Sequence, residues 1–160
     1  MVPAPPRARR RFDTLEQEVF LRLWRAYDRL HSIEEAFFKE HGLSPQQYNL
    51  LRLMRAAHPE RVATLTLAQR LVSRAPDVTR MIDKLEADGL VERHRTDADR
   101  RTVLIGISAS GLRLLDEISE PLQQCHRRQL GHLSAARLRQ LAQLLRDVAI
   151  PHEQPLSDWI

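Results

Sequence analysis

Long apolar runs are missing from this chain. The stretches are only a few residues long, as in Val103-Leu104-Ile105, far short of the ~18 consecutive apolar residues that mark a transmembrane helix. Cysteine is nearly absent. The single Cys125 rules out an internal disulfide. The opening MVPAPPRARRR is basic, but no apolar segment follows it, so it does not read as a secretory signal. These absences lead to the expectation of a cytoplasmic protein. Enzyme signatures are missing too: no Gly-rich phosphate loop, no Gly-x-Ser-x-Gly and no His-Glu-x-x-His. Asp97 and Asp99 are a pair of carboxylates, but a charged loop lacks the burial that tunes them for acid–base work. The expectation is a non-enzyme without cofactor or metal. The seven histidines are scattered, and only His126 and His132, straddling a helix end, are close enough to consider as ligands.

With 160 residues, 42% of them apolar and 29% charged, the chain can bury a core of ordinary size. Its net charge of +4 is local. Arg7, Arg9, Arg10 and Arg11 supply all of it, and residues 12–160 balance. Any case for nucleic acid must therefore rest on where charges sit. Residues 1–11, rich in proline and arginine, read as a flexible basic arm, either a solvated tail or a phosphate contact. Residues 12–160 read as a single domain.

Helical spacing of Leu15, Val19, Phe20, Leu23, Trp24, Tyr27, Leu30, Phe37 and Phe38 predicts one long helix over 14–40, closed by Gly42. Its apolar stripe is wider than one contact requires. Ser44-Pro45-Gln46-Gln47 is a capping box with proline at the first helical position, and that helix runs to about Ala57. Thr66-Leu67-Ala68-Gln69 reads as a second capping box opening a short helix. After a turn at 73–75, Pro76 opens a third helix, with Val78, Met81, Ile82 and Leu85 on its inward side. The period then changes to two. Strands are expected at 90–95 and 102–107, joined by the charged loop 96–101. Ser108 or Ser110 caps a helix over 109–129, and Ser134 caps a last one to about Val148. The closing Trp159-Ile160 is expected to dock on something. The fold class is mainly α (α+β): a helix-turn-helix with a two-stranded wing, flanked by long N- and C-terminal helices.

The segments LAQRLVSRAPDVTRMIDKLEADGLVERHR and DADRRTVLIGIS resemble the MarR family of bacterial transcriptional regulators. The tip Asp99-Arg100-Arg101 followed by VLIGIS is the most specific part, and Leu43-Ser44-Pro45-Gln46-Gln47-Tyr48 resembles the start of the family's second helix. The resemblance covers about residues 14–150. It implies a homodimer on palindromic double-stranded DNA, joined through the helices at 14–40 and 109–150 with the C-terminal tail, and a DNA-binding lobe over 44–108. It also implies that Arg101 enters the minor groove.

The residue chemistry agrees. A guanidinium forks onto guanine, so Arg80 is the candidate base reader. Ser73, Arg74, Thr79 and Lys84 are candidates for phosphates, with His94 and Arg95 beside them at the wing base. Pro76 is a candidate for a thymine methyl or sugar. Asp77 either accepts from cytosine or serves the helix dipole. Arg100 and Arg101 form the wing tip, with Asp99 orienting one of them. A small aromatic or anionic effector would contact Trp24, Tyr27, His31, Tyr48 and Arg52, unless these residues only fill core and dimer contacts. Cys125 reads as structural. The competing reading is a winged-helix protein-interaction module without specific DNA binding. The cations on the third helix and wing argue against it.

Overall fold

A computed structural model describes residues 12–72, 77–95 and 103–153. The chain forms two compact units, residues 1–33 and 34–160, and the boundary lies inside the first helix. That helix, α1, spans Leu15–Glu40. In the first unit, the Thr14 hydroxyl accepts from the Gln17 amide at 3.1 Å, while the Gln17 side chain accepts from the Asp13 amide at 2.7 Å. The Thr14 bond satisfies one of the donors that the helix start leaves open, and the Gln17 side chain ties down the residue before it. Leu15, Val19, Phe20, Leu23, Trp24 and Tyr27 are all exposed on the following turns.

In the second unit α1 ends in Phe37 and Phe38, both buried. Gly42 takes the left-handed conformation (φ 72°), which lets the Leu43 amide reach back to the Phe38 carbonyl at 3.0 Å. Helix α2 (Pro45–Ala57) begins at the expected capping box, with Ser44 and Gln47 bonded reciprocally at 3.2 and 2.8 Å. It buries Leu50, Leu51 and Met54. Strand β1 (Val62–Ala63) leads directly into α3 (Thr64–Arg70), and α4 covers Val78–Ala87. Strands β2 (Val91–Arg95) and β3 (Val103–Ile107) follow, then α5 (Ala109–Leu130), α6 (Ala135–Ala149) and a 3-10 turn at Ile150–His152.

Several boundaries differ from the sequence expectation. The two expected wing strands, β2 and β3, pair as an antiparallel hairpin, and a third strand, not expected, joins them in the order β1-β3-β2, all antiparallel. The extra strand adds its two residues opposite Leu104 and Ile105. Because β1 runs straight into α3, that helix starts at Thr64 instead of after Thr66. Its N-cap is Ala63, with no side-chain cap. Helix α4 is capped by Asp77 rather than opened by Pro76, which lies outside the described residues. The carboxylate accepts from the Arg80 amide at 2.8 Å. An acid at this position satisfies an orphan donor and meets the positive end of the helix dipole.

The core joins α2, α3, α4, the sheet and α5: Leu50, Leu51, Leu67, Ile82, Leu85, Ile105 and Ile118 lose all or nearly all their exposure there. Alternation along β3 sends Ile105 and Ile107 inward, as its period predicts. Ser108 caps α5 and ties it to the turn that follows α4. Its hydroxyl accepts from the Gly111 amide at 3.0 Å and donates to the Gly89 carbonyl at 2.7 Å. Helix α6 buries no residue, and Leu141, Leu144, Leu145 and Val148 stand exposed along it. Trp159 and Ile160 lie outside the described residues.

Candidate nucleic-acid interface

Helix α4 is anchored by Ile82 and Leu85, with Val78 and Met81 packed beside them. That anchoring turns Thr79, Arg80 and Lys84 outward, and all three are exposed. The two halves of the helix differ electrically. The N-terminal half carries Arg80, and the Asp77 carboxylate before it is engaged at the cap. The C-terminal half carries Asp83 and Glu86, and Asp88 follows as the C-cap; acids toward the negative end of the helix dipole favour cationic partners. They have them. Lys84 pairs with Asp88 at 3.1 Å, and Arg93 of β2 pairs with Asp83 at 2.5 Å and Glu86 at 2.9 Å. Lys84 is therefore already shared with a carboxylate, whereas Arg80 has no ion pair among the described residues.

At the wing base Arg95 is exposed at the end of β2, and His94 lies 3.3 Å from Glu92 on the same strand. Ser73, Arg74, Pro76, Arg100 and Arg101 lie outside the described residues. Two further residues shape this region without any signal in the sequence. Arg93 joins strand to helix through acids spaced three apart on α4. Asn49 on α2 is buried, and its side-chain oxygen accepts from the Val72 amide at 3.0 Å, holding the chain where it leaves α3. Both contacts depend on elements meeting in space, which periodicity does not reveal.

The effector candidates fall into two groups. Within the first unit, Tyr27 stacks on His31 with ring centroids 5.0 Å apart, and Trp24 leans on Phe20 at 6.2 Å. Within the second, Tyr48 stacks on Phe38 at 4.6 Å. Burial pushes the Tyr48 hydroxyl above its ordinary pKa, while the charges of Arg52 and Arg55 pull it back down. Arg52 itself is exposed.

Cys125 is completely buried on the inward side of α5. It has none of the access a reactive thiolate needs. His126, one step round the helix, bonds Glu34 at 3.0 Å. Among the described residues no three His, Cys, Asp or Glu side chains gather as a metal site, and no helix is long and apolar enough to cross a membrane.

Comparison with known proteins agrees with this arrangement. The profile of the MarR family matches residues 43–103, from the start of α2 through the wing to β3. A MarR transcription factor from Planctomyces limnophilus, known by crystal structure, is 51% identical. The match covers 85% of this chain and 98% of that one, with a TM-score of 0.68. The homoprotocatechuate degradative operon repressor of Escherichia coli is 27% identical over 109 residues, covering 68% of this chain and 72% of that protein. Sco3205, a MarR family regulator from Streptomyces coelicolor solved in complex with DNA, is 19% identical. That match covers 94% of this chain and 96% of that one, with a TM-score of 0.77, and shows the shared fold. With the wing, the helix pair and a half-identical relative spanned almost end to end, this chain belongs to the MarR family of transcriptional regulators.

Proposed function

We propose that two copies of this chain form a cytoplasmic homodimeric repressor that binds a palindromic operator and lets go when a small aromatic or anionic effector binds. The observation that carries the DNA reading is the outward, acid-free N-terminal half of α4, where Arg80 stands exposed over a buried Ile82–Leu85 anchor. In this reading Arg80 forks onto a guanine edge in the major groove. Ser73, Arg74, Thr79, Lys84 and Arg95 take phosphates, and Pro76 touches a thymine methyl or sugar. Arg101 enters the minor groove from the wing tip it shares with Arg100, where a narrow A·T-rich groove concentrates negative potential.

The dimer reading is supported by the exposed leucine stripe of α6. Leu141, Leu144, Leu145 and Val148 follow helical spacing, and Leu144 keeps 55% of its surface in the single chain. A continuous exposed apolar stripe favours burial against another surface. The effector reading is supported by Tyr48, an aromatic face stacked on Phe38 with the Arg52 charge close by, suited to a flat anion. The repressor name of the Escherichia coli relative favours repression.

The test is binding of purified protein to labelled duplexes from beside its own gene, across a salt series, with Arg101→Ala alongside. Saturable, sequence-dependent binding that weakens steeply with salt is expected. Arg101→Ala is expected to lose about 1–3 kcal/mol of affinity while staying folded. Equal, weak binding to every duplex selected from a random pool would refute the reading and leave the interaction module in its place.

A further inference from the structure

Arg93 lies near the middle of β2, between the turn that ends α4 and the wing. Its guanidinium spreads over two carboxylates of α4. One terminal nitrogen donates to Asp83 Oδ1 at 2.5 Å and the other to Glu86 Oε2 at 2.9 Å. Asp83 and Glu86 are three residues apart and so share one side of the helix. A planar guanidinium can hold both at once with fixed directions, which a lysine ammonium does poorly. The side chain is 28% exposed and spans the junction between strand and helix.

The position of this fork matters. One turn before Asp83 on the same helix stands Arg80, and two residues beyond Arg93 on the same strand stands Arg95. We propose that Arg93 is a positioning residue that locks the wing to the recognition helix, so that major-groove and minor-groove contacts are made by one preorganised body. This rests on the DNA reading above. Without the fork, strand and helix remain joined by the Asp88-Gly89 turn and by packing. Ordering the wing on DNA then adds a conformational cost at the moment of binding.

Charge alone offers a competing account, in which Arg93 merely cancels two acids near the phosphates. The two accounts diverge for Asp83→Asn combined with Glu86→Gln. That variant breaks the fork yet removes two negative charges. If cancellation were the whole role, it would bind DNA as tightly as the parent or more tightly. Positioning requires weaker binding.

The experiment measures anisotropy of a labelled duplex, selected from a random pool by the parent protein, at a temperature where thermal melts show every variant folded. Arg93→Met and the Asp83→Asn/Glu86→Gln variant are both expected to bind about three- to tenfold more weakly, in the range of lost partly exposed charge pairs and lost preorganisation. Arg93→Lys should recover part of the loss. The effects of Arg80→Ala and Arg101→Ala should be coupled in the parent and simply multiply in the Arg93→Met background. Parent-like or tighter binding by the Asp83→Asn/Glu86→Gln variant overturns the proposal. If Arg80→Ala and Arg101→Ala also leave binding unchanged, the DNA reading itself fails. If those two weaken binding while the fork variants do not, only the positioning role fails.

Discussion

Replacing Gly111 by alanine tests the close packing at the start of α5. Gly111 sits in the first turn of α5, three residues after the Ser108 cap. A methyl group there would stand 2.7 Å from Ile107 Cγ1 and press into the Leu90 carbonyl oxygen. Neither neighbour can retreat freely. The Leu90 carbonyl accepts the Ser108 amide at 3.0 Å, and Ile107 belongs to the core end of β3. Helix propensity alone favours alanine by about 1 kcal/mol. Against that stand overpacking, about 1–3 kcal/mol, and a strained or lost hydrogen bond, about 0.5–1.5 kcal/mol. The expected net is a loss of about 1–3 kcal/mol. For a domain of this size that lowers Tm by roughly 2–12 °C. Gly106→Ala is the control. Its methyl would meet only the flexible Arg61 side chain, at 3.4 Å, so its effect should stay within about 0.5 kcal/mol. Thermal unfolding of the three proteins at one concentration decides the matter. A Gly111→Ala protein that melts with the parent, or a Gly106→Ala protein that falls as far, would show that Ile107 and Leu90 do not confine position 111.

Asp77→Ala removes the carboxylate that accepts the Arg80 amide. A loss of about 0.5–2 kcal/mol is expected, with amide exchange quickened first at the start of α4. Tyr48 gives a pH signature. Its folded pKa is raised above the ordinary 10.0, so the folded state holds that proton more tightly than the unfolded chain. The stabilisation is complete below that value and is lost as pH climbs from 10.0 through the folded pKa. Denaturant melts across that window should show the decline in the parent and a flatter course in Tyr48→Phe. An equally steep decline in both would contradict the assignment.

Much of the fold was legible because local chemistry carried it. Ser44 with Gln47, Ser108, Ser134 and Gly42 each mark a helix end that the structure keeps. The two-residue period of 103–107 announced a strand with Ile105 and Ile107 inward. What escaped was either too short or too distant. Strand β1 has only Val62 and Ala63, too few for any period to register, and its presence moved the start of α3 away from the Thr66 box. The cap of α4 is Asp77, whose carboxylate accepts the Arg80 amide that the helix start leaves open. Around the DNA-facing helix, Arg80 and Thr79 were readable as outward residues from the spacing of Ile82 and Leu85. Arg93 and Asn49 were not, since each acts on an element 7 to 23 residues away along the chain. Along α6, Leu141, Leu144, Leu145 and Val148 stand at helical spacing, but burial is a property of what lies opposite, which spacing does not contain.

Selection of bound duplexes from a randomised pool, by the parent protein and by Arg80→Ala, shows whether α4 reads the sequence. The expected result is a two-fold symmetric sequence for the parent, with half-site centres about 10 bp apart. Arg80→Ala should relax the preference at one base pair in each half-site, by about 1–3 kcal/mol. No enrichment by the parent, or an identical preference in both proteins, would contradict the assignment of α4 as the reader of sequence.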